Sequence, residues 1–136
     1  MYLKRMITFE LPGADIRKLD LREKIHMIKE IGAEIVVIFA NSYIEGYCYY
    51  PSKFAKTHPD LNGRDLFMEI LNTAHKEKLK VYAYLNAKFN GKHILKEIPD
   101  SQCIRPDGSP IGINNVVMMC ISSPSAEYFN AFKTIF

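Results

Sequence analysis

The chain has 136 residues, of which 48% are apolar and 24% are charged, a composition typical of a globular protein and not of a disordered one. This length suits one domain and is short for two. The formal net charge of +3 comes from Lys and Arg residues scattered along the sequence, so we expect no nucleic-acid partner.

The three cysteines are Cys48, Cys103 and Cys120. They are odd in number and form no Cys-x-x-Cys pair, which argues against a disulfide framework and against a zinc site. The four histidines also lack metal-ligand spacing, so we predict no metal and no cofactor. Because no apolar run reaches the length of about 20 residues that a membrane helix needs, and because the chain opens without an apolar signal segment, we expect no membrane partner and a cytoplasmic location.

The first predicted elements are a strand and a helix. Arg5–Leu11 is an apolar-leaning strand that ends at the turn-forming pair Pro12-Gly13. The sequence from Asp20 to Glu23 has the form of a capping box. Apolar residues then recur at helical spacing up to Ile31, followed by Gly32 where a left-handed residue is favoured. These signals predict a helix over residues 21–31.

The next segment repeats this order. Ile35–Phe39 is apolar at every position, which is typical of a parallel strand covered on both faces by helices. Asp65 is positioned to cap a helix whose apolar stripe runs from Leu66 to Leu79. A further buried strand follows at Val81–Leu85. Alternating strands and helices predict an α/β fold with a parallel sheet, whose functional sites lie on the loops after the strands.

The remaining sequence is less regular. Pro99, the turn around Asp107 and Pro110 interrupt it, and Val116–Ile121 fits either a short strand or the floor of a loop. Ser123-Pro124 predicts the start of another helix. Because its apolar pattern is still running at Phe136, we interpret residues 1–136 as an incomplete portion of one domain.

Several segments carry a family resemblance. They are Ala33-Glu34-Ile35-Val36-Val37-Ile38-Phe39-Ala40, Gly46-Tyr47-Cys48-Tyr49-Tyr50-Pro51-Ser52-Lys53, His58-Pro59, Arg64-Asp65-Leu66, Val81-Tyr82-Ala83-Tyr84, Ile98-Pro99-Asp100, Arg105-Pro106-Asp107-Gly108 and Cys120-Ile121-Ser122-Ser123-Pro124. Together they resemble the N-terminal part of alpha-L-fucosidase-like glycoside hydrolases, in particular the group called hypothetical glycosyl hydrolase 6. The resemblance implies a (β/α)₈ TIM barrel, a fold of about 250 residues, of which this chain would form roughly the first three repeats.

The resemblance also implies where the catalytic groups lie. Enzymes of this kind carry the nucleophilic carboxylate after the fourth strand and the acid/base later, so both would fall beyond Phe136. A retaining glycosidase needs two carboxyl groups about 5–5.5 Å apart. Glu10, Glu45 and Asp107 are the acids that face the expected site, and we interpret each as a loop or cap residue. The catalytic residues are therefore unknown from this chain.

Residues at the strand ends are the candidates for substrate binding. The related fucosidases carry a His-His pair after strand two, whereas this sequence has Asn41-Ser42-Tyr43 there. Amide and phenol groups exchange hydrogen bonds with sugar hydroxyls, and aromatic faces stack on sugar rings. The candidate substrate-binding residues are Glu10, Asn41, Tyr43, Tyr47, Tyr84 and Asn86. The alternative for the tyrosines of residues 47–50 is that they pack the loop onto the barrel rim.

Two functions remain open at this point. The chain is either a fragment of a glycoside hydrolase that supplies sugar-binding loops but lacks the catalytic carboxylates, or a non-catalytic carbohydrate-binding or degenerate barrel remnant. Enzymatic activity of the chain itself is therefore uncertain. Either way, we expect a carbohydrate ligand, together with the missing barrel half or oligomerisation, because three strands leave open sheet edges.

Overall fold

A computed structural model describes residues 4–11, 16–42, 44–52, 56–86, 88–96, 98–120 and 122–123. The predicted turn at Pro12-Gly13, the candidate residue Tyr43 and the predicted helix after Ser123 lie outside these residues. Within them, no helix is long and apolar enough to cross a membrane.

The main unit is a parallel sheet with two helices. Strand β1 (Met6–Phe9) is followed by helix α1 (Leu21–Glu30), strand β2 (Ile35–Phe39), helix α2 (Leu66–Lys76) and strand β3 (Lys80–Tyr84). The strand order is β1-β2-β3, and both pairings are parallel. The predicted parallel α/β arrangement is therefore confirmed.

Both helices begin at the predicted caps. The Asp20 carboxylate accepts a hydrogen bond from the backbone N–H of Glu23 at 3.0 Å, and that of Asp65 accepts from the N–H of Met68 at 2.8 Å. These bonds satisfy amide groups that a helix start leaves without intrahelical partners. After α1, Gly32 has a φ of +79°, which a glycine adopts without steric cost.

The helices cover one face of the sheet. Val36 and Ile38 share a buried core with Ile25 of α1 and with Leu66 and Ile70 of α2. Side chains alternate between the two faces of a strand, so Val37 and Phe39 point to the other face, where both are only half-buried. The expectation that helices cover both faces of this strand is wrong for the described residues, because α1 and α2 pack on the same side.

The second face of the sheet is partly exposed, and it carries large apolar side chains beside the exposed Thr8 and Lys80. The apolar ones are Met6, Tyr82 and Tyr84, which are 58%, 57% and 44% exposed. The Tyr84 ring lies against Phe39 with the ring centroids 4.5 Å apart. We call this surface the open face of the sheet.

A second, smaller sheet follows the third strand. It consists of β4 (Phe89–Gly91), β5 (Gly112–Ile113) and β6 (Val116–Met118), in the order β4-β6-β5. Both pairings are antiparallel, and the small core contains Ile94, Val117 and Met119. The strand alternative for residues 116–121 is therefore confirmed for Val116–Met118, while β4 and β5 were not predicted. We call residues 88–120 the third-loop unit.

Candidate functional site

The loop after β2 folds back onto the end of that strand. The N–H of Ser42 donates to the carbonyl of Tyr47 at 2.9 Å, and the N–H of Tyr49 donates to the carbonyl of Ala40 at 3.0 Å. Tyr49 and Tyr50 are buried, with 1% and 9% exposure, so these two rings pack the loop onto the sheet. Tyr47 is only half-buried, and its ring lies beside histidine side chains.

Polar and aromatic side chains gather beside this loop. Tyr47 stacks on His93 with ring centroids 4.9 Å apart and an interplanar angle of 16°, and its ring contacts His58 edge-on at 5.6 Å. The Nε2 atom of His58 lies 3.5 Å from Oε2 of Glu45. We call this group the strand-end cluster; its members are Glu10, Ser42, Glu45, Tyr47, Tyr49, His58 and His93.

The backbone fixes the protonated nitrogen of His58. This residue caps a short 3₁₀ helix, Pro59–Leu61, and its Nδ1 atom accepts a hydrogen bond from the N–H of Asp60 at 3.3 Å. An accepting Nδ1 carries no proton, so the neutral ring has its hydrogen on Nε2, which faces Glu45. The His58 side chain is 13% exposed and that of Glu45 is 38% exposed, so the pair is accessible to a ligand from the Glu45 side.

Tyr49 connects the cluster to the end of the first strand. Burial raises the pKa of its phenol to about 12, while a hydrogen bond with the Ser42 side chain opposes the rise and the charges of Glu45 and Glu10 add to it. Glu10 directly follows β1, whose Phe9 pairs with Ile38 of β2, so it lies at the same end of the sheet as the loop after β2. Residues that follow β1 and β2 thus meet at one end of the sheet, as the parallel arrangement requires.

Two buried asparagines join the loops after β2 and β3. The Asn41 side chain donates from Nδ2 to the carbonyl of Asn86 at 3.0 Å, and its Oδ1 accepts from the N–H of Asn86 at 2.9 Å. The Asn86 side chain in turn accepts from the N–H groups of Lys88 and Phe89 at 3.3 and 3.2 Å. We call this arrangement the asparagine clamp.

A close backbone approach also joins the β2 loop to the third-loop unit. Gly46 has a φ of +73°, and a Cβ there would meet Oδ1 of Asn90 and lie 2.8 Å from the backbone nitrogen of Gly91. A Cβ on Gly91 would likewise overlap the carbonyl of Glu45. Glycine is required at both positions because neither leaves room for a side chain.

The structure describes five of the six predicted substrate-binding residues and separates them. Tyr47 and the exposed Glu10 belong to the strand-end cluster. Asn41 and Asn86 form the clamp and are 0% and 4% exposed, whereas Tyr84 lies on the open face of the sheet. A substrate-binding role stays a prediction for each of them, and Tyr43 lies outside the described residues.

Sequence reasoning did not identify Ser42, Tyr49, His58 and His93 as site residues. In the structure His58 caps the short helix Pro59–Leu61. Its second contact, with Glu45, joins residues 13 positions apart within the loop between β2 and α2, so no local spacing reveals it. Within the described ranges, no group of three or more His, Cys, Asp or Glu side chains is arranged to hold a metal ion.

Comparison with solved structures gives matches among carbohydrate-active enzymes. A beta-galactosidase from the psychrophilic Marinomonas ef1 matches 98% of this chain and 19% of its own, with a TM-score of 0.67 and 16% identity. A noncanonic maltogenic alpha-amylase from Thermotoga neapolitana matches 96% of this chain and 35% of its own, with a TM-score of 0.58 and 16% identity. At these identities the likeness concerns the fold alone.

A third match is higher in identity and shorter. An alpha-L-fucosidase from Bacteroides thetaiotaomicron is 31% identical over 50% of this chain, with a TM-score of 0.44, and the chain spans 16% of its length. No curated protein matches the chain. A family model described as hypothetical glycosyl hydrolase 6 matches residues 20–135, nearly the whole sequence. The chain therefore belongs to the hypothetical glycosyl hydrolase 6 family.

Proposed function

We propose that this chain forms the first part of the (β/α)₈ barrel of a glycoside hydrolase and supplies loops that bind the sugar. The observation that carries the proposal is the strand-end cluster, in which a carboxylate, an imidazole and an aromatic ring lie together beyond the carboxyl ends of parallel strands. Enzymes built on (β/α)₈ barrels place their active sites at that end. Residues 1–136 would then be an incomplete portion of the domain.

The open face of the sheet supports the barrel. In a closed barrel, the strand faces that turn away from the helices are packed by side chains of the other strands. Met6, Tyr82 and Tyr84 are large apolar residues left exposed on this face. Further strands that pair with the sheet and close over this face would bury them.

The chemistry of the cluster suits a sugar. The Glu45 carboxylate accepts hydrogen bonds from hydroxyl groups, and the Nε2–H group of His58 donates one. Tyr47 packs against two histidine rings and adds an aromatic surface next to this pair. In this arrangement the asparagine clamp positions the loops, and Glu45, Tyr47 and His58 contact the sugar.

Hydrolysis of a panel of aryl glycosides by the full-length gene product tests this function. Glu45→Gln and His58→Ala each remove one hydrogen-bonding partner, so we expect kcat/KM to fall about 10- to 100-fold, as the loss of a charged hydrogen bond of about 1.5–3 kcal/mol implies. His26→Ala is the matched control, because His26 lies on the exposed side of α1 with its ring 3.5 Å from Glu30. Unchanged kinetics of both cluster variants would refute the proposed site.

The alternative is a barrel relative that binds carbohydrate without cleaving it. Calorimetric titration with monosaccharides distinguishes the two functions, because the alternative predicts binding that depends on His58 but no release of the aryl group. If neither binding nor hydrolysis is detected with the full-length product, both functions are excluded for the sugars tested.

A further inference from the structure

Two of the three cysteines lie side by side in the third-loop unit. Gln102 and Met119 form an antiparallel bridge, flanked by hydrogen bonds from the N–H of Cys103 to the carbonyl of Met118 at 2.8 Å and from the N–H of Cys120 to the carbonyl of Ser101 at 2.6 Å. Since side chains alternate along a strand, Cys103 and Cys120 point to the same face of this ribbon. They occupy diagonal positions on that face, on either side of the Gln102–Met119 bridge.

The two thiols are neighbours on this face. The Cys120 side chain acts on the pKa of the Cys103 thiol, and both residues are partly accessible to solvent. Cys48 differs in both respects, because it is 0% exposed and lies in a separate small core with Ala40 and Tyr50. The cysteines are therefore one accessible pair and one buried single residue.

We propose that Cys103 and Cys120 are a redox-sensitive pair that a peroxide converts to an intramolecular disulfide. One thiolate attacks an oxygen of hydrogen peroxide, the O–O bond breaks, and hydroxide leaves as a sulfenic acid forms on that sulfur. The second thiolate then attacks the sulfenic sulfur, forming the S–S bond and releasing the second hydroxide. In total, two thiols and one peroxide give one disulfide and two water molecules.

The surroundings set the pH dependence of this reaction. Burial raises the pKa of the Cys103 thiol, the adjacent Cys120 raises it further, and the positive charge of Lys88 opposes the shift. Cys103 is therefore a protonated thiol at neutral pH. Because the thiolate is the reactive form, oxidation accelerates as the pH rises through the alkaline range.

The disulfide would close a loop that contains most of the third-loop unit. The segment between the two cysteines includes the turn around Asp107, β5 and β6. A covalent link would hold the ends of this segment together when its hydrogen bonds open, since a disulfide restricts the unfolded chain. Oxidation would therefore limit the local opening of residues 103–120 and leave the parallel sheet unchanged.

Mass spectrometry of the whole chain after treatment with hydrogen peroxide tests the proposal. We expect the monomer to lose the mass of two hydrogens and two of its three free thiols, with Cys103 and Cys120 joined in non-reducing peptide maps and Cys48 still free. Dithiothreitol should restore all three thiols. Cys103→Ser and Cys120→Ser should each abolish this product, whereas Cys48→Ala should retain it.

Three results would overturn the proposal. They are accumulation of sulfinic acid on both cysteines without a disulfide, formation of disulfides only between two chains, and a bridge that involves Cys48. Mass spectrometry of the unaltered chain shows whether Cys103 and Cys120 form the disulfide even if a serine variant fails to fold. If the full-length product hydrolyses no glycoside, the disulfide proposal still stands, because it does not depend on the sugar site.

Discussion

The parallel sheet with its helices and the third-loop unit are stabilised in different ways. The first has a continuous core to which both helices and the central strand contribute, including Ile25, Ile38 and Ile70 at 0% exposure. The second has strands of two or three residues and a core of three fully buried side chains. Burial of apolar area dominates folding stability, so the first unit should determine global stability and the second should open locally. The loops that carry the strand-end cluster lie where the two units meet.

Removing a core side chain from each unit tests this difference, and Ile38→Ala should have the largest effect. Ile38 is fully buried, so its truncation should lower the free energy of unfolding by about 2–5 kcal/mol. Met119 is 2% exposed, but Met119→Ala should act mainly on the third-loop unit. Urea denaturation measures the global effect, and hydrogen exchange at the amides of Cys103 and Met118 measures the local one.

Equal loss of global stability in these two variants would contradict the division. The two units would then unfold as one cooperative body, and the small core would matter as much as the large one. Loss of amide protection limited to residues 88–120 in Met119→Ala would support the division.

The contact between the units is tested by Gly46→Ala. The new Cβ would overlap Asn90 and the backbone of Gly91, in addition to the strain of a positive φ. Gly63→Ala is a matched control, because Gly63 has a φ of +83° and a Cβ added there would have no neighbouring atom within 4 Å. Since overpacking costs about 1–3 kcal/mol, Gly46→Ala should be less stable than the control by that amount.

Thermal or urea unfolding of the two glycine variants measures this difference. If they are equally stable, the loops after β2 and β3 separate without cost, and the close approach at Gly46 does not hold the site together. Backbone strain from the positive φ would then explain the loss of stability in both glycine variants.

The smallest effect concerns pH. The pKa of Tyr49 is raised from 10.0 to about 12, first by burial, so between these values the folded state keeps a proton that the unfolded state loses. The contribution of the Tyr49 phenol to the free energy of unfolding is fully present below pH 10 and declines as the pH rises towards 12. Tyr49→Phe should therefore show a weaker loss of stability over this range than the unaltered chain, as measured by urea midpoints at several pH values. Identical pH profiles would show that the Tyr49 phenol is accessible to water.

The sequence predicted the first unit because its signals are local. Asp20 and Asp65 lie three residues before the amides that they cap, and Ile35–Phe39 reports a buried strand through its composition alone. One inference failed because an apolar strand does not reveal what covers each face. Helices cover the side of Val36 and Ile38, and the opposite side carries the half-buried Val37 and Phe39.

The third-loop unit and the site were harder to predict for a common reason. Phe89–Gly91 and Val116–Met118 are too short to show a period, and they are paired only through tertiary structure. In the same way, Glu45 and His58 lie far apart in the loop after β2, and His93 comes from the third-loop unit. Tyr47 contacts both histidines. Asn41 was selected because an amide binds hydroxyl groups, but the same property makes it a partner for the backbone of Asn86.

The open face of the sheet has a consequence for synthesis in the cell. Two crossovers, residues 10–34 and 40–79, join the strands of the first unit, so the three strands can pair only after β3 has left the ribosome. From then on the nascent chain exposes an aggregation-prone apolar surface, formed by Met6, Tyr82 and Tyr84. Two ribosomes on one message would bring such surfaces together, so capture by a chaperone at this stage would prevent the aggregation of unfinished chains.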